Sequence, residues 1–162
     1  MAPIGPEQLD AILTHHVGPL VLYARQWCTN PEDVVQDALV KLVREPAAVE
    51  KPVGWLYRVV RNLAISSARS EGRRRRRETA VSEVGEPWFL PSDDESLDGE
   101  AICEALQKLP IEQRETIVAR LWGGLAFREV AELTETSPST AIRRYHTGLA
   151  AIRERLGVKD NN

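Results

Sequence analysis

Apolar residues recur along this chain at the three- and four-residue spacing of helices, and no stretch keeps the strict alternation of a half-buried strand. A first stripe, Leu9, Ile12, Leu13, Val17, Leu20 and Tyr23, predicts a helix over 6–27. Pro19 should kink or split it, since a proline inside a helix lacks the amide and crowds the preceding turn. A second stripe, Val34, Val35, Ala38, Leu39, Leu42 and Val43, follows Asn30-Pro31-Glu32-Asp33. There asparagine can cap free amides, proline suits the first helical position and the acids favour the positive end of the helix dipole. This helix starts at Pro31, ends before Pro46, and leaves Asp33, Gln36, Asp37 and Val40 on another face. A third begins at Pro52, burying Val53, Leu56, Tyr57, Val60, Ala64 and Ala68 and displaying Arg58, Arg61, Asn62, Ile65 and Arg69.

After Gly72 and the run Arg73, Arg74, Arg75, Arg76, Arg77, the pattern stops; Gly85-Glu86-Pro87 and Pro91-Ser92-Asp93-Asp94 mark 79–96 as a linker. Four shorter helices are predicted beyond it, over 97–108, 111–122, 126–133 and 138–156. Pro110 starts the second, Gly123-Gly124 stops it, and Ser137-Pro138 reads as the cap and first residue of the last. The fold class is therefore all-α, with two small helical domains, 1–78 and 97–162, joined by the linker.

Composition changes this picture little and charge changes it much. The 162 residues are 43% apolar, enough for packed cores. No apolar run approaches the roughly 20 residues that span a bilayer, and the N-terminus lacks a basic stretch followed by an apolar one, so a cytoplasmic protein without membrane contact is expected. The net charge of -3 conceals a segregation. Lys51 to Glu78 carries nine positive residues against two acids, whereas 79–100 has seven acids and no Lys or Arg.

The pair 126–133 and 138–156, joined by a four-residue turn, has the layout of a helix-turn-helix, whose second helix enters the DNA major groove. Ala141, Tyr145, Leu149, Ile152 and Leu156 form its inward stripe, leaving Ser139, Ile142, Arg143, His146 and Thr147 outward. An antiparallel helix pair with a solvated basic face fits the same residues. The arginine run reads as a solvated tract, a localisation-type tract or a phosphate clamp; five phosphate contacts would give a slope of log K on log salt of about -4 to -5. The acidic face Asp33, Gln36, Asp37 reads as simple solvation or a protein docking site.

Other candidates lead elsewhere. His15-His16 lacks a third ligand at metal spacing, since adjacent helical residues diverge by about 100°. Cys28 and Cys103, far apart, read as buried reduced thiols. Trp55 fits a core or a base contact equally, and Trp88-Phe89-Leu90, apolar within the acidic linker, could hold the domains together. Neither a catalytic triad, a phosphate-cradling glycine loop nor a paired-carboxylate motif is present, so no enzyme activity, metal or cofactor is expected.

The stretch 31–38, Pro-Glu-Asp-Val-Val-Gln-Asp-Ala, followed by 54–65, Gly-Trp-Leu-Tyr-Arg-Val-Val-Arg-Asn-Leu-Ala-Ile, resembles region 2 of the extracytoplasmic-function sigma factors of the sigma-70 family. Leu109-Pro110, Arg114, Leu121, Gly124, 127–131 and 137–153 resemble their region 4. The resemblance implies a sigma factor that directs core RNA polymerase to promoters and helps open the -10 region. Asp33, Gln36 and Asp37 would dock on the polymerase, and Arg58, Arg61, Asn62, Arg69 and Arg73 to Arg77 would meet the -10 element and its backbone, with Asn62 at the base-reading position. Ser139, Thr140, Ile142, Arg143, Arg144, His146 and Thr147 would read the -35 element. The second domain's apolar surface would rest on the polymerase flap, and an anti-sigma factor is an implied partner. The sequence departs from the family at Ser139-Thr140-Ala141-Ile142-Arg143-Arg144, at Thr147 and at Ser66, and the 45–51 connection is short and lacks an aromatic. The alternative is a helix-turn-helix regulator that binds its operator alone; another is a pure protein-interaction module.

Overall fold

In the computed structural model, residues 3–77 and 97–157 are described, with side chains for 3–73 and 101–157. The chain divides into two compact units, 1–84 and 85–162. The predicted linker 79–96 and its Trp88-Phe89-Leu90 lie outside the described residues. All regular structure among those residues is helical.

In the first unit, α1 (Pro6–His15) and α2 (Val17–Ala24) replace the single predicted helix. The break falls at His16, not at Pro19. A continuous helix would need an amide at Pro19 to reach the His15 carbonyl, and the proline ring would collide with that carbonyl; the chain bends one turn earlier and restarts with the Leu20 amide on the His16 carbonyl at 2.9 Å. α3 (Pro31–Arg44) starts where its Pro and acids place it. Asn30, however, does not cap it: the Asn30 side chain accepts a hydrogen bond from Ser67 Oγ at 2.9 Å. α4 (Pro52–Arg77) runs on through Gly72 and the arginines, which continue the helix as their position in the sequence implies.

The core between α2, α3 and α4 holds Leu20, Tyr23, Val34, Val35, Ala38, Leu42, Leu56, Tyr57, Val60 and Ala64. Tyr23 is its hub, meeting Tyr57 at 4.9 Å and Trp27 at 5.0 Å, both edge-on. Such pairs add about 0.5–1.5 kcal/mol each beyond area burial. The Tyr57 hydroxyl has no hydrogen-bond partner, and burial pushes its ionisation well above the usual phenol range. Two expected core positions are instead on the surface: Leu13 is 47% and Val43 50% exposed. Each sits at the edge of its stripe, where no neighbouring helix closes over it.

The second unit is built around its last helix. α5 (Leu97–Gln107), α6 (Ile111–Ile117) and α7 (Phe127–Thr134) each pack on α8 (Pro138–Leu156). Ala105, Leu106, Leu109, Ile117 and Ile152 form the core, with Tyr145, Leu149 and Leu156 against it. The predicted helix 111–122 does not stay α-helical: Val118–Trp122 forms a π-helical turn that closes with the Gly123 amide on the Val118 carbonyl at 3.1 Å. Cys28 and Cys103 are both buried, free thiols.

Gly148, unremarked in the sequence pattern, sets the spacing of α6 and α8. A Cβ there would lie 2.6 Å from Ile117 Cδ1 and 3.3 Å from Gln113 Cβ. Glycine costs about 1 kcal/mol in a helix interior, and close approach is what offsets it. Gly148→Val should therefore destabilise the protein by about 1–3 kcal/mol in urea unfolding; unchanged stability would refute this role. Glu135 occupies the left-handed region (φ 56°) at the end of α7, with the Thr136 amide on the Ala131 carbonyl at 2.9 Å and its own amide on Glu132 at 3.4 Å. A side chain is strained there, so Glu135→Gly should gain up to about 1 kcal/mol in the same assay. A loss would mean the Glu135 side chain contributes more than its backbone costs.

Candidate nucleic-acid interface

The uncovered side of α4 is a cationic row. Arg58, Asn62, Arg69 and Arg73 are all exposed. At 100° per residue they fall within about 60° of arc and span about 22 Å of helix. Arg61, on the flank of this row, is half-buried with its guanidinium 5.7 Å above the Trp27 ring. Arg74 to Arg77 continue the same helix, their side chains outside the described residues.

The loop between α2 and α3 is tied against this helix. Ser67 donates to Asn30, and Thr29 Oγ1 donates to Glu71 Oε1 at 2.7 Å. Glu71, an acid amid the arginines, is thereby turned toward the loop. Trp55 is half-buried and is not a core residue; it lines a cleft of about 510 Å³ with Val40, Arg44, Val59, Asn62 and Leu63. The structure thus joins Trp55 to Asn62, a juxtaposition that motif spacing alone left open.

On α3, Asp33, Gln36 and Asp37 are exposed, as is Val40 at 42%. Their opposite face, Val34, Val35, Ala38 and Leu42, is buried, so the acids point away from the core.

In the second unit the helix-turn-helix is α7, the turn 135–137 and α8. Ser137 caps α8, accepting from the Thr140 amide at 3.2 Å, and its hydroxyl donates to Thr140 Oγ1 at 3.0 Å. Thr140 is thus held in the cap, and Arg144 is half-buried, whereas Ser139, Ile142, Arg143, His146 and Thr147 are exposed. Phe127, at the start of α7, meets Tyr145 edge-on at 5.3 Å. Arg120 lies 4.7 Å over the Phe127 ring and donates to the Leu125 carbonyl at 3.0 Å. This bracket fixes the angle of α8, and the inward stripe hinted at it only through Tyr145. Leu121 (53% exposed) and Trp122 (37%) project from the π-helical turn as an apolar surface.

Among the described residues no cluster of three metal-ligating side chains occurs, and no helix is long and apolar enough to cross a membrane. His15 is exposed; burial, and secondarily the charge of His15, lowers the pKa of His16.

The family models Sigma-70 region 2 and Sigma-70, region 4 match residues 12–74 and 99–152. The chain is 24% identical over 158 residues to the RNA polymerase sigma factor SigV of Bacillus subtilis, covering 94% of this chain and 93% of SigV. It is 29% identical over 133 residues to the RNA polymerase sigma factor CarQ of Myxococcus xanthus, covering 78% and 74%. Among solved structures, the sigma factor RpoE of Bartonella quintana, determined in complex with the anti-sigma factor NepR, superposes with a TM-score of 0.69 at 25% identity over 94% of this chain and 97% of RpoE. CnrH, determined with the cytosolic domain of CnrY, shares the fold with a TM-score of 0.58 at 20% identity over 96% and 92%. Two regions of one family, matched in order across most of the chain, establish that it belongs to the sigma-70 family, as a sigma factor of the extracytoplasmic-function class.

Proposed function

We propose that the first unit docks on core RNA polymerase through Asp33, Gln36 and Asp37 of α3 and engages the promoter -10 element through α4, while α8 reads the -35 element. A sigma factor is not an enzyme, and the protein acts in the cytoplasm, where polymerase and chromosome meet. The observation that carries this reading is the separation of charge within one unit: an exposed acidic face on α3 and an exposed guanidinium row on α4, positioned by one shared core. The row suits phosphates and the acids repel them, so the acids are available to a protein.

On α4, Arg58, Arg61, Arg69 and Arg73, continued by Arg74 to Arg77, neutralise backbone phosphates. Asn62, at the mouth of the Trp55 cleft, meets a -10 base. On α8, Ser139, Ile142, Arg143, His146 and Thr147 face the major groove: arginine can hold a guanine bidentately and Ile142 can meet a thymine methyl. Thr140 supports this surface through the cap, and Arg144 flanks it. Leu121 and Trp122 offer the flap contact. An anti-sigma factor is a further partner, supported by the complexes in which RpoE and CnrH were solved. A stand-alone operator-binding regulator would need the helix-turn-helix unit but would have no use for a sigma region 2.

The decisive test is a pull-down with the cognate core RNA polymerase. Wild type should be retained and the variant Asp33→Arg, Asp37→Arg should be lost, with both folded by circular dichroism. Failure of the wild type to bind would overturn the docking reading. Run-off transcription of genomic fragments by the reconstituted holoenzyme then identifies a promoter. On that promoter Arg143→Ala should cost about 1–3 kcal/mol and relax preference at one -35 base pair. A uniform loss across all sequences would reassign Arg143 to a phosphate.

A further inference from the structure

Arg69 and Arg73 of the arginine row also line a second hollow, whose other lining residues the assignments above leave unused. It measures about 470 Å³ and is lined by Trp27, Ile65, Ala68, Arg69, Gly72 and Arg73. That volume is within the roughly 300–1,000 Å³ typical of small-ligand pockets. Its wall comes from the loop between α2 and α3, and its floor and rim come from the second half of α4.

The chemistry of the lining is divided. Trp27, Ile65 and Ala68 are half-buried and offer an apolar surface, while Arg69 and Arg73 are exposed. The indole is anchored by the Tyr23 ring at 5.0 Å and the Arg61 guanidinium at 5.7 Å. The loop that carries it is pinned by the Thr29–Glu71 and Ser67–Asn30 hydrogen bonds. Gly72 keeps the space open: a Cβ built there meets nothing within 4 Å.

An aromatic ring beside paired guanidiniums is the combination with which proteins hold single-stranded nucleic acid, the base on the ring and the phosphate on the cations. We propose that this hollow is a nucleotide subsite, in which one unpaired deoxynucleotide of the opened promoter packs its base against Trp27 and Ile65 and sets its phosphate between Arg69 and Arg73. It is separate from the Trp55–Asn62 cleft and adds Trp27 to the residues that hold the open strand. The proposal rests on the sigma-factor reading of α4, and its charge favours a nucleic acid over a neutral peptide.

Gly72→Leu tests it directly, because it builds a side chain on the lining of the hollow from a position where a Cβ meets nothing within 4 Å. The probe is the promoter fragment found by run-off transcription, with single abasic sites placed in turn along the non-template strand across the -10 region, bound by the reconstituted holoenzyme. With wild type, one abasic position should lower affinity roughly fivefold to a hundredfold, the span expected for losing a base from an aromatic platform. With Gly72→Leu and with Trp27→Leu, intact DNA should bind more weakly by a similar factor and that position should no longer matter. Trp27→Phe should restore much of the sensitivity, which a purely structural role would not require. Retention on core polymerase reports folding of each variant. Abasic profiles of Gly72→Leu that match wild type would overturn the subsite and leave the hollow to another ligand, such as an acidic protein segment. Wild-type holoenzyme that binds no promoter fragment would instead overturn the reading of α4 as the -10 element contact.

Discussion

The first unit depends on one helix serving two media. α4 buries Leu56, Tyr57, Val60 and Ala64 completely against α2 and α3, and at the same helical period exposes Arg58, Asn62, Arg69 and Arg73. Burying a large aliphatic or aromatic side chain is worth about 1.5–3 kcal/mol, so these residues and the Tyr23–Tyr57 contact hold the helix rigidly. The guanidiniums contribute little to stability where they stand in water. Their value is positional, since a rigid rod with charges at fixed rise presents them to phosphates without first having to be ordered. The acidic face of α3 follows from the same core: burial of Val34, Val35, Ala38 and Leu42 leaves Asp33 and Asp37 outward.

The second unit solves the equivalent problem with less apolar material. α8 is the element on which α5, α6 and α7 all pack, yet Ser139, Ile142, Arg143, His146 and Thr147 on it stay exposed. Gly148 lets α6 approach closely, so a narrow buried stripe is enough. The ends of the helix are fixed independently by the Ser137 cap and by Gly157 in the left-handed region. Its tilt is fixed by Phe127 against Tyr145, with Arg120 behind them. This surface of five exposed side chains therefore rests on contacts made on the opposite face or at the ends.

Much of this could be read from residue order, and the failures share a physical cause. Helix starts at Pro31, Pro52, Ile111 and Pro138 were legible because proline, acids and serine act within one turn of the boundary. The outward positions of α8, and Arg58, Asn62 and Arg69 on α4, were legible because periodicity fixes a face, whereas Arg61 and Ile65, expected outward, are half-buried at its edges. What escaped depends on partners distant in sequence. Asn30 was expected to cap α3 by local chemistry, but a competing donor, Ser67, was 37 residues away. Leu13 and Val43 fit their stripes, and only the absence of a covering helix exposes them. The π-helical turn at Val118–Trp122 leaves the local hydrophobic pattern unaltered, so nothing in that pattern marked it. Trp27 carried no motif, and its importance comes from the way Thr29 and Asn30 tie its loop to α4.

Electrostatics explains why these arrangements coexist in a chain of net charge -3. A uniformly acidic surface would be repelled by DNA, and a uniformly basic one would bind any DNA it met, since non-specific affinity grows with each phosphate neutralised. Segregation avoids both. Screening at physiological salt confines each exposed charge to about 8 Å, so each cation of the row on α4 acts only on charges close to it. Over longer distances the net negative charge opposes indiscriminate approach to the duplex. A short cationic row on one helix face gains little from random encounters with DNA, and its binding is favoured when a larger, polymerase-sized partner brings that face to the promoter.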